Sequence, residues 1–205
     1  MKILQIKASV FNGSGQSSRL SQQLVDQLRA DNPGAEVIQR DLVADPVPHL
    51  DAARVGAFFA KPEARTDEQK AVIAYSDALI DEVREADVIV LGLPMYNFGV
   101  PSQLKAWFDH LARAGVTFKY TAKGAVGLLT GKKAYVVATR GGVYAGTPND
   151  FQAPFVRQFL GFIGITDVEF VYAEGLALGE ESLNKSIAAA QASVRGLTGE
   201  ARLAA

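Results

Sequence analysis

Hydrophobic positions along this chain follow two rhythms, and the change from one to the other marks out its elements. From Asp87 to Leu93 the chain reads DVIVLGL, a near-continuous apolar run of strand length. That is the pattern of a strand buried on both faces of a parallel sheet. Pro101 and Ser102 then open a segment in which Leu104, Trp107, Phe108 and Leu111 fall on one helical face, with Gly115 beyond as a stop. The same alternation runs through the rest of the chain. Lys2 to Ala8 predicts a first strand, and Leu20, Leu24, Val25 and Leu28 a helix ended by Asn32-Pro33-Gly34. Ala35 to Gln39 predicts a second strand. Thr66 and Gln69 form a capping-box pair ahead of Val72, Leu79, Ile80 and Val83. Lys132 to Thr139 is another apolar strand; Phe155, Phe159, Phe162 and Ile163 mark a helix stopped by Gly164; Val168 to Tyr172 is a last strand and Glu181 to Leu197 a closing helix.

Two stretches keep neither rhythm. Between Asp41 and Arg65 the pattern is broken by Pro46, Pro48 and Pro62, which predicts a long excursion with one helical turn around Val55 to Phe59. From Thr117 to Leu129, Phe118 and Tyr120 alternate ahead of a Lys123-Gly124 turn, the pattern of an inserted hairpin. Five strands alternating with about five helices predict a doubly wound α/β fold, a parallel sheet with right-handed crossovers, in a single domain over residues 1–205.

Composition narrows the partners. A chain of 205 residues with 48% hydrophobic and 21% charged residues can bury a sizeable core. Its formal net charge of −1, with no basic run longer than Lys132-Lys133, points away from nucleic acid and from anionic membrane surfaces, leaving small molecules and proteins. The absence of cysteine excludes disulfides and thiolate chemistry. No leader pattern precedes the first strand and no apolar stretch reaches membrane-spanning length, so the expected location is the cytoplasm.

Candidate chemistry collects in three loops, each leaving the carboxyl end of a strand, where α/β sheets bind ligands. The first, Ser9 to Ser18, carries Ser9, Ser14, Ser17 and Ser18 with Gly13 and Gly15. Hydroxyls beside a helix N-terminus form an anion cradle without a charged side chain, or else serve only as caps. The second, Pro94 to Pro101, sets Tyr96 and Phe98 around Asn97, an apolar, amide-bearing shelf for a flat ligand. The third, Arg140-Gly141-Gly142, offers backbone N–H groups that can come close to a planar ring.

Other motifs weigh less. Gly13 to Ser18 approaches a dinucleotide fingerprint, with Asp41 where a ribose-binding acid would stand, and leaves a nicotinamide-dependent dehydrogenase as an alternative. Gly127 to Lys133, GLLTGKK, fails the phosphate-loop spacing. His49 and His110 lack partners at a catalytic spacing, and no metal cluster is expected. Asp77, Asp81, Glu82 and Glu85 are expected on solvated helix faces, so no acid/base pair is assigned.

PMYNF before a Pro/Ser-initiated helix, ARAGVTFKYT, a strand ending in RGG, and FLGFIGITDVEFVYAEG together resemble the bacterial FMN-dependent NADH azoreductases, also described as NADH:quinone oxidoreductases. The resemblance covers nearly the whole chain and implies a flavodoxin-like sheet of order 2-1-3-4-5, FMN as bound cofactor, NADH or NADPH as electron donor, and a homodimer. It implies ping-pong, two-electron reduction of quinones, azo compounds or nitroaromatics, with no catalytic side chain because the flavin carries the chemistry. Matched residue by residue, Ser9, Gln16 and Ser17 would hold the FMN phosphate, with Gly15 where the family often has serine. Met95, Tyr96, Asn97 and Phe98 would run along the isoalloxazine, and Thr139, Arg140, Gly141 and Gly142 would form the second flavin loop. Tyr120 and Phe162 would line the substrate side from the partner subunit. The chain departs from the family at Gly56 to Arg65 and at Tyr144, which bear on substrate range and donor preference. A flavodoxin-type electron carrier is the alternative from another class.

Overall fold

In the computed structural model, residues 1–197 are described. They form β1 (Lys2–Lys7), α1 (Gln16–Asp31), β2 (Glu36–Asp41), α2 (Ala52–Phe59), α3 (Asp67–Glu85), β3 (Val88–Pro94), α4 (Ser102–Leu111), β4 (Phe118–Thr121), β5 (Gly124–Gly127), β6 (Lys133–Thr139), α5 (Gln152–Ile163), β7 (Asp167–Ala173) and α6 (Glu180–Gly196). Five strands pair in parallel in the order β2-β1-β3-β6-β7. Leaving out the hairpin strands, this is the expected 2-1-3-4-5. The sheet grows from β1 to β2 on one side and from β1 to β3 on the other, so the β1/β3 boundary is a switch point with a crevice at its carboxyl end.

Strand periodicity divides the core in two. Leu4, Ile6, Ile89, Leu91, Val136 and Ala138 face α3, α4 and α5, whereas Ile3, Val90, Tyr135, Val137 and Val171 face α1 and α6. Trp107 and Phe108 of α4 are almost wholly buried. Burying a side chain such as Phe108 contributes roughly 1.5–3 kcal/mol, which fixes α4 to the sheet far more firmly than its ten residues could manage by helix propensity.

Local chemistry sets the boundaries. The Thr66/Gln69 capping box opens α3 as the sequence predicts. Helix α4 stops at Leu111, before Gly115, because the Thr117 hydroxyl donates to the Leu111 carbonyl and accepts from the Arg113 N–H. The excursion holds two turns of helix, α2, capped by Asp51. In α5 the fully buried face is Ala153, Val156, Leu160 and Ile163, while Phe155, Phe159 and Phe162 are half-buried beside it. Those aromatics pack against core aromatics, Phe159 stacked on Phe108 and Phe162 tilted on Phe118, each with centroids 4.2 Å apart.

The β4–β5 hairpin packs on the end of α5 by backbone contact. A Cβ on Gly127 would lie 2.0 Å from the Gly164 nitrogen, and Gly164 itself takes φ 109° to end the helix. All four carboxylates expected on solvated faces form ion pairs, Asp77 with Arg113, Asp81 with Arg84, Glu82 with Arg40 and Glu85 with Lys2, and Glu82 is the most buried of them.

Candidate functional site

Three strands side by side, β1, β3 and β6, deliver the three candidate loops to one carboxyl edge, and the loops are bonded to each other. The Val10 N–H donates to the Tyr96 hydroxyl at 3.1 Å, joining the first loop to the second. The Met95 N–H donates to the Thr139 carbonyl at 2.9 Å, joining the second to the third. Between them lies a cleft lined by Ser9, Phe11, Gly15, Gln16, Ser17, Pro94, Met95, Tyr96, Thr139, Arg140, Gly141 and Leu176.

The first wall is the N-terminus of α1. The first intrahelical bond runs from the Arg19 N–H to the Gly15 carbonyl, and no side chain caps this end, whereas Asp51 caps α2 and Thr66 caps α3. The N–H groups of Gln16, Ser17 and Ser18 therefore have no intrahelical acceptor and add to the positive end of the helix dipole. Gly15 is required where it stands: a Cβ there would come 2.1 Å from the Ser9 Oγ. Ser14 turns away, its hydroxyl donating to the Phe11 carbonyl, and Ser18 does not line the cleft.

The second wall is a two-residue turn. Tyr96 and Gly99 exchange N–H···O bonds around Asn97 and Phe98, which take φ 48° and 66°. Positive φ at both central residues is the type I′ geometry, natural for Asn97 and strained for Phe98. Met95 and Tyr96 face the cleft, while Asn97 and Phe98 form the exposed tip, with Phe98 edge-on to Tyr144 at 5.7 Å.

In the third wall, the carbonyls of Arg140, Gly141 and Gly142 accept from the N–H groups of Leu176, Ala177 and Gly175. A Cβ on Gly142 would collide with the Tyr144 ring, 2.6 Å from its hydroxyl. Arg140 meets the cleft with its backbone only. Its guanidinium is fully buried, bonded twice to Asp150 at 3.0 Å and once to Glu174 at 3.0 Å, over the Tyr172 ring. Burial raises the Tyr172 phenol above its ordinary value, with Arg140 acting against that shift.

Tyr120 and Phe162 do not line this cleft. Both rest on Phe118 at the hairpin end of α5, and Tyr120 is 75% exposed. The residues that sequence reasoning passed over are Phe11, Pro94 and Leu176, which line the cleft, and Asp150, Gln152 and Glu174, which support it from beneath. One signal was available for the second group: Arg140 ends an apolar strand, and a cation there needs buried acids.

Rival motifs find ordinary uses. The Asp41 Oδ1 accepts from the N–H groups of Val43 and Ala44 in its own turn. Lys132 donates to the carbonyls of Arg84 and Ala86 at the end of α3, on the opposite edge of the sheet. The Nε2 of His110 bonds the Pro48 carbonyl at 3.0 Å. Among the described residues no group of three or more His, Asp or Glu side chains could hold a metal ion, and no helix is long and apolar enough to cross a membrane.

Comparison with known proteins agrees with this geometry. A family described as having a flavodoxin-like fold matches residues 1–197. A protein of Alcanivorax borkumensis named FMN-dependent NADH:quinone oxidoreductase is 58% identical over 198 residues, 97% of this chain and all of the relative. The azoreductase of Bacillus anthracis strain Sterne superposes with a TM-score of 0.88 at 28% identity, over 96% of this chain and 98% of that one. An FMN-dependent NADH-azoreductase from Bacillus anthracis Ames Ancestor, solved in complex with FMN, superposes with a TM-score of 0.84 at 26% identity, over 97% of this chain and 100% of that one. The chain therefore belongs to the family of FMN-dependent NADH:quinone oxidoreductases, on the flavodoxin-like fold.

Proposed function

We propose that this protein binds FMN in the three-walled cleft and passes two electrons from NADH or NADPH to quinones, azo compounds or nitroaromatics. The observation that carries the reading is the uncapped N-terminus of α1 beside Ser9, Gln16 and Ser17, set across the cleft from the Met95–Tyr96 shelf. Neutral donors and a helix dipole suit a phosphate monoester, and the shelf suits a flat ring, so the residues present fit the cofactor. When bound, FMN supplies the two-electron chemistry, which is why no acid/base pair is needed.

In this reading the chain binds, orients and screens. Gln16 and Ser17 would hold the phosphate through N–H and side-chain donors, and Ser9, given room by the missing Cβ of Gly15, would complete the cradle. Met95 and Tyr96 would supply the face for the ring, with Asn97 and Phe98 at the exposed tip of the same turn. Thr139, the Arg140 backbone and Gly141, with Gly142 next in the loop, would offer N–H donors to the polar atoms of the ring system.

The chain acts as a homodimer, supported by the exposed aromatics Phe59, Phe98, Tyr120 and Phe151. Tyr120 and Phe162, which do not line their own cleft, serve the partner's substrate side. The reading extends to one domain over residues 1–205, of which 198–205 lie outside the described residues, and to a cytoplasmic enzyme, in keeping with a chain free of cysteine. The names of the relatives favour an enzyme over an electron carrier. Initial rates with NADH and a simple quinone test this: parallel double-reciprocal lines are expected, intersecting lines contradict the ping-pong order, and FMN binding without turnover favours the carrier.

A further inference from the structure

Beneath the cleft runs a buried polar chain that binding alone does not require. The Gln152 side-chain amide donates to the Pro94 carbonyl at 2.9 Å and to the Gly99 carbonyl at 3.0 Å, at the two ends of the Tyr96 turn. Its carbonyl accepts from the Arg140 Nε at 3.4 Å. Only this orientation of the amide is chemically allowed, because backbone carbonyls only accept and a guanidinium only donates. Arg140 passes the chain to Glu174, whose Oε1 also accepts from the N–H groups of Tyr144 at 2.8 Å and Ala145 at 2.9 Å. Asp150 neutralises the cation with two bonds and accepts from the Gln152 and Ala153 N–H groups, which fixes the start of α5.

The geometry points to Gln152 and Glu174 as positioning residues that couple the two ring-side loops of the cleft, so that the turn at Tyr96–Gly99 and the loop at Gly141–Ala145 order together. Gln152 and the Arg140 side chain have no exposed surface, so water cannot replace the partners lost at the Gln152 end, while Glu174, whose side chain is 13% exposed, ties the far end to Tyr144 and Ala145. Phe98 and Tyr144, in contact at 5.7 Å, close the same circuit at the surface. The coupling belongs to the cofactor-free protein. It rests on the FMN reading only in its consequence that ordering both loops beforehand lowers the cost of binding the ring.

Amide hydrogen exchange of the cofactor-free protein tests it, read at Tyr96 and Gly99 on one loop and at Tyr144 and Ala145 on the other. Gln152→Leu is expected to speed exchange at Tyr144 and Ala145, which it does not touch, by about tenfold, and Glu174→Ala to do the same at Tyr96 and Gly99, with exchange in β1 and β3 unchanged. Both variants are expected to weaken FMN binding, followed by fluorescence quenching, by about tenfold. Exchange that rises only on the loop each variant touches, or uniformly across the molecule, overturns the coupling. Should Gln152→Leu fail to fold, Glu174→Ala decides alone. A wild-type protein that binds no FMN would overturn the functional reading and leave the exchange result standing.

Discussion

Phe98 holds a left-handed φ of 66°. That conformation costs a bulky residue on the order of 1–3 kcal/mol, while a ring contact such as that with Tyr144 returns on the order of 0.5–1.5 kcal/mol. Strain exceeds the contact, so a residue at ease in this conformation should stabilise the fold. Phe98→Asn is expected to raise the urea midpoint, by up to ~1 kcal/mol in stability, while FMN affinity falls several-fold. A drop in the midpoint would show that the ring anchors the turn. Arg140 carries the opposite stake. Arg140→Met leaves Asp150 and Glu174 as buried, uncompensated charges and is expected to cost about 3–5 kcal/mol in urea unfolding; a loss below about 1 kcal/mol would mean that water reaches the pair. At this scale the sequence was legible for backbone duties and poor for side-chain direction. Ser9, Gly15, Gln16, Ser17, Met95, Tyr96, Thr139 and Gly141 all meet at the cleft, and Arg140 arrives there too, but with its guanidinium turned inward. Only tertiary contact brings Asp150 and Glu174, far apart in the chain, onto that cation.

Helix α4 owes its place to burial, and one of its buried groups titrates. His110 is enclosed between Phe58 and Tyr75, bonded to Pro48, and burial lowers its pKa; Arg54 and Arg113 act in the same direction, while the Pro48 carbonyl and Asp109 oppose them. The unfolded ring takes a proton near pH 6.5, the folded ring only at lower pH. The neutral ring's contribution is therefore complete above about pH 6.5 and is lost as pH falls through the depressed folded value. Wild type is expected to lose melting temperature between pH 7.5 and 5.5 faster than His110→Leu; equal slopes would show that the site stays solvated. The hairpin β4–β5 allows a second check. Tyr120→Ala should leave FMN affinity unchanged and raise KM for quinone several-fold, and a change in FMN affinity instead would place Tyr120 against the cofactor. Elements with strong period were legible: β1, β3, β6, α1 and α3 sit where their apolar spacing put them. Helix α2 was read as one turn because its apolar residues are mostly exposed, and the α5 stripe was read half a face off because its phenylalanines pack against neighbouring aromatics.

Across the whole molecule, strand order decides where chemistry occurs. With β1, β3 and β6 adjacent, three loops far apart in sequence share one edge, and the alternation of strands and helices was enough to foresee that edge. Alternation could not foresee the contacts that close the cleft, such as Val10 to Tyr96. Light scattering at working concentration is expected to return twice the chain mass; a monomer would leave Tyr120 and Phe162 without a site to serve. The central claim meets its most direct test in visible absorption. Protein reconstituted with FMN, desalted and kept anaerobic should retain flavin bands, bleach on addition of NADH and recover them on addition of a simple quinone. Bands that survive desalting but ignore NADH would contradict the reductase, and loss of the bands on desalting would contradict the cleft as a flavin site.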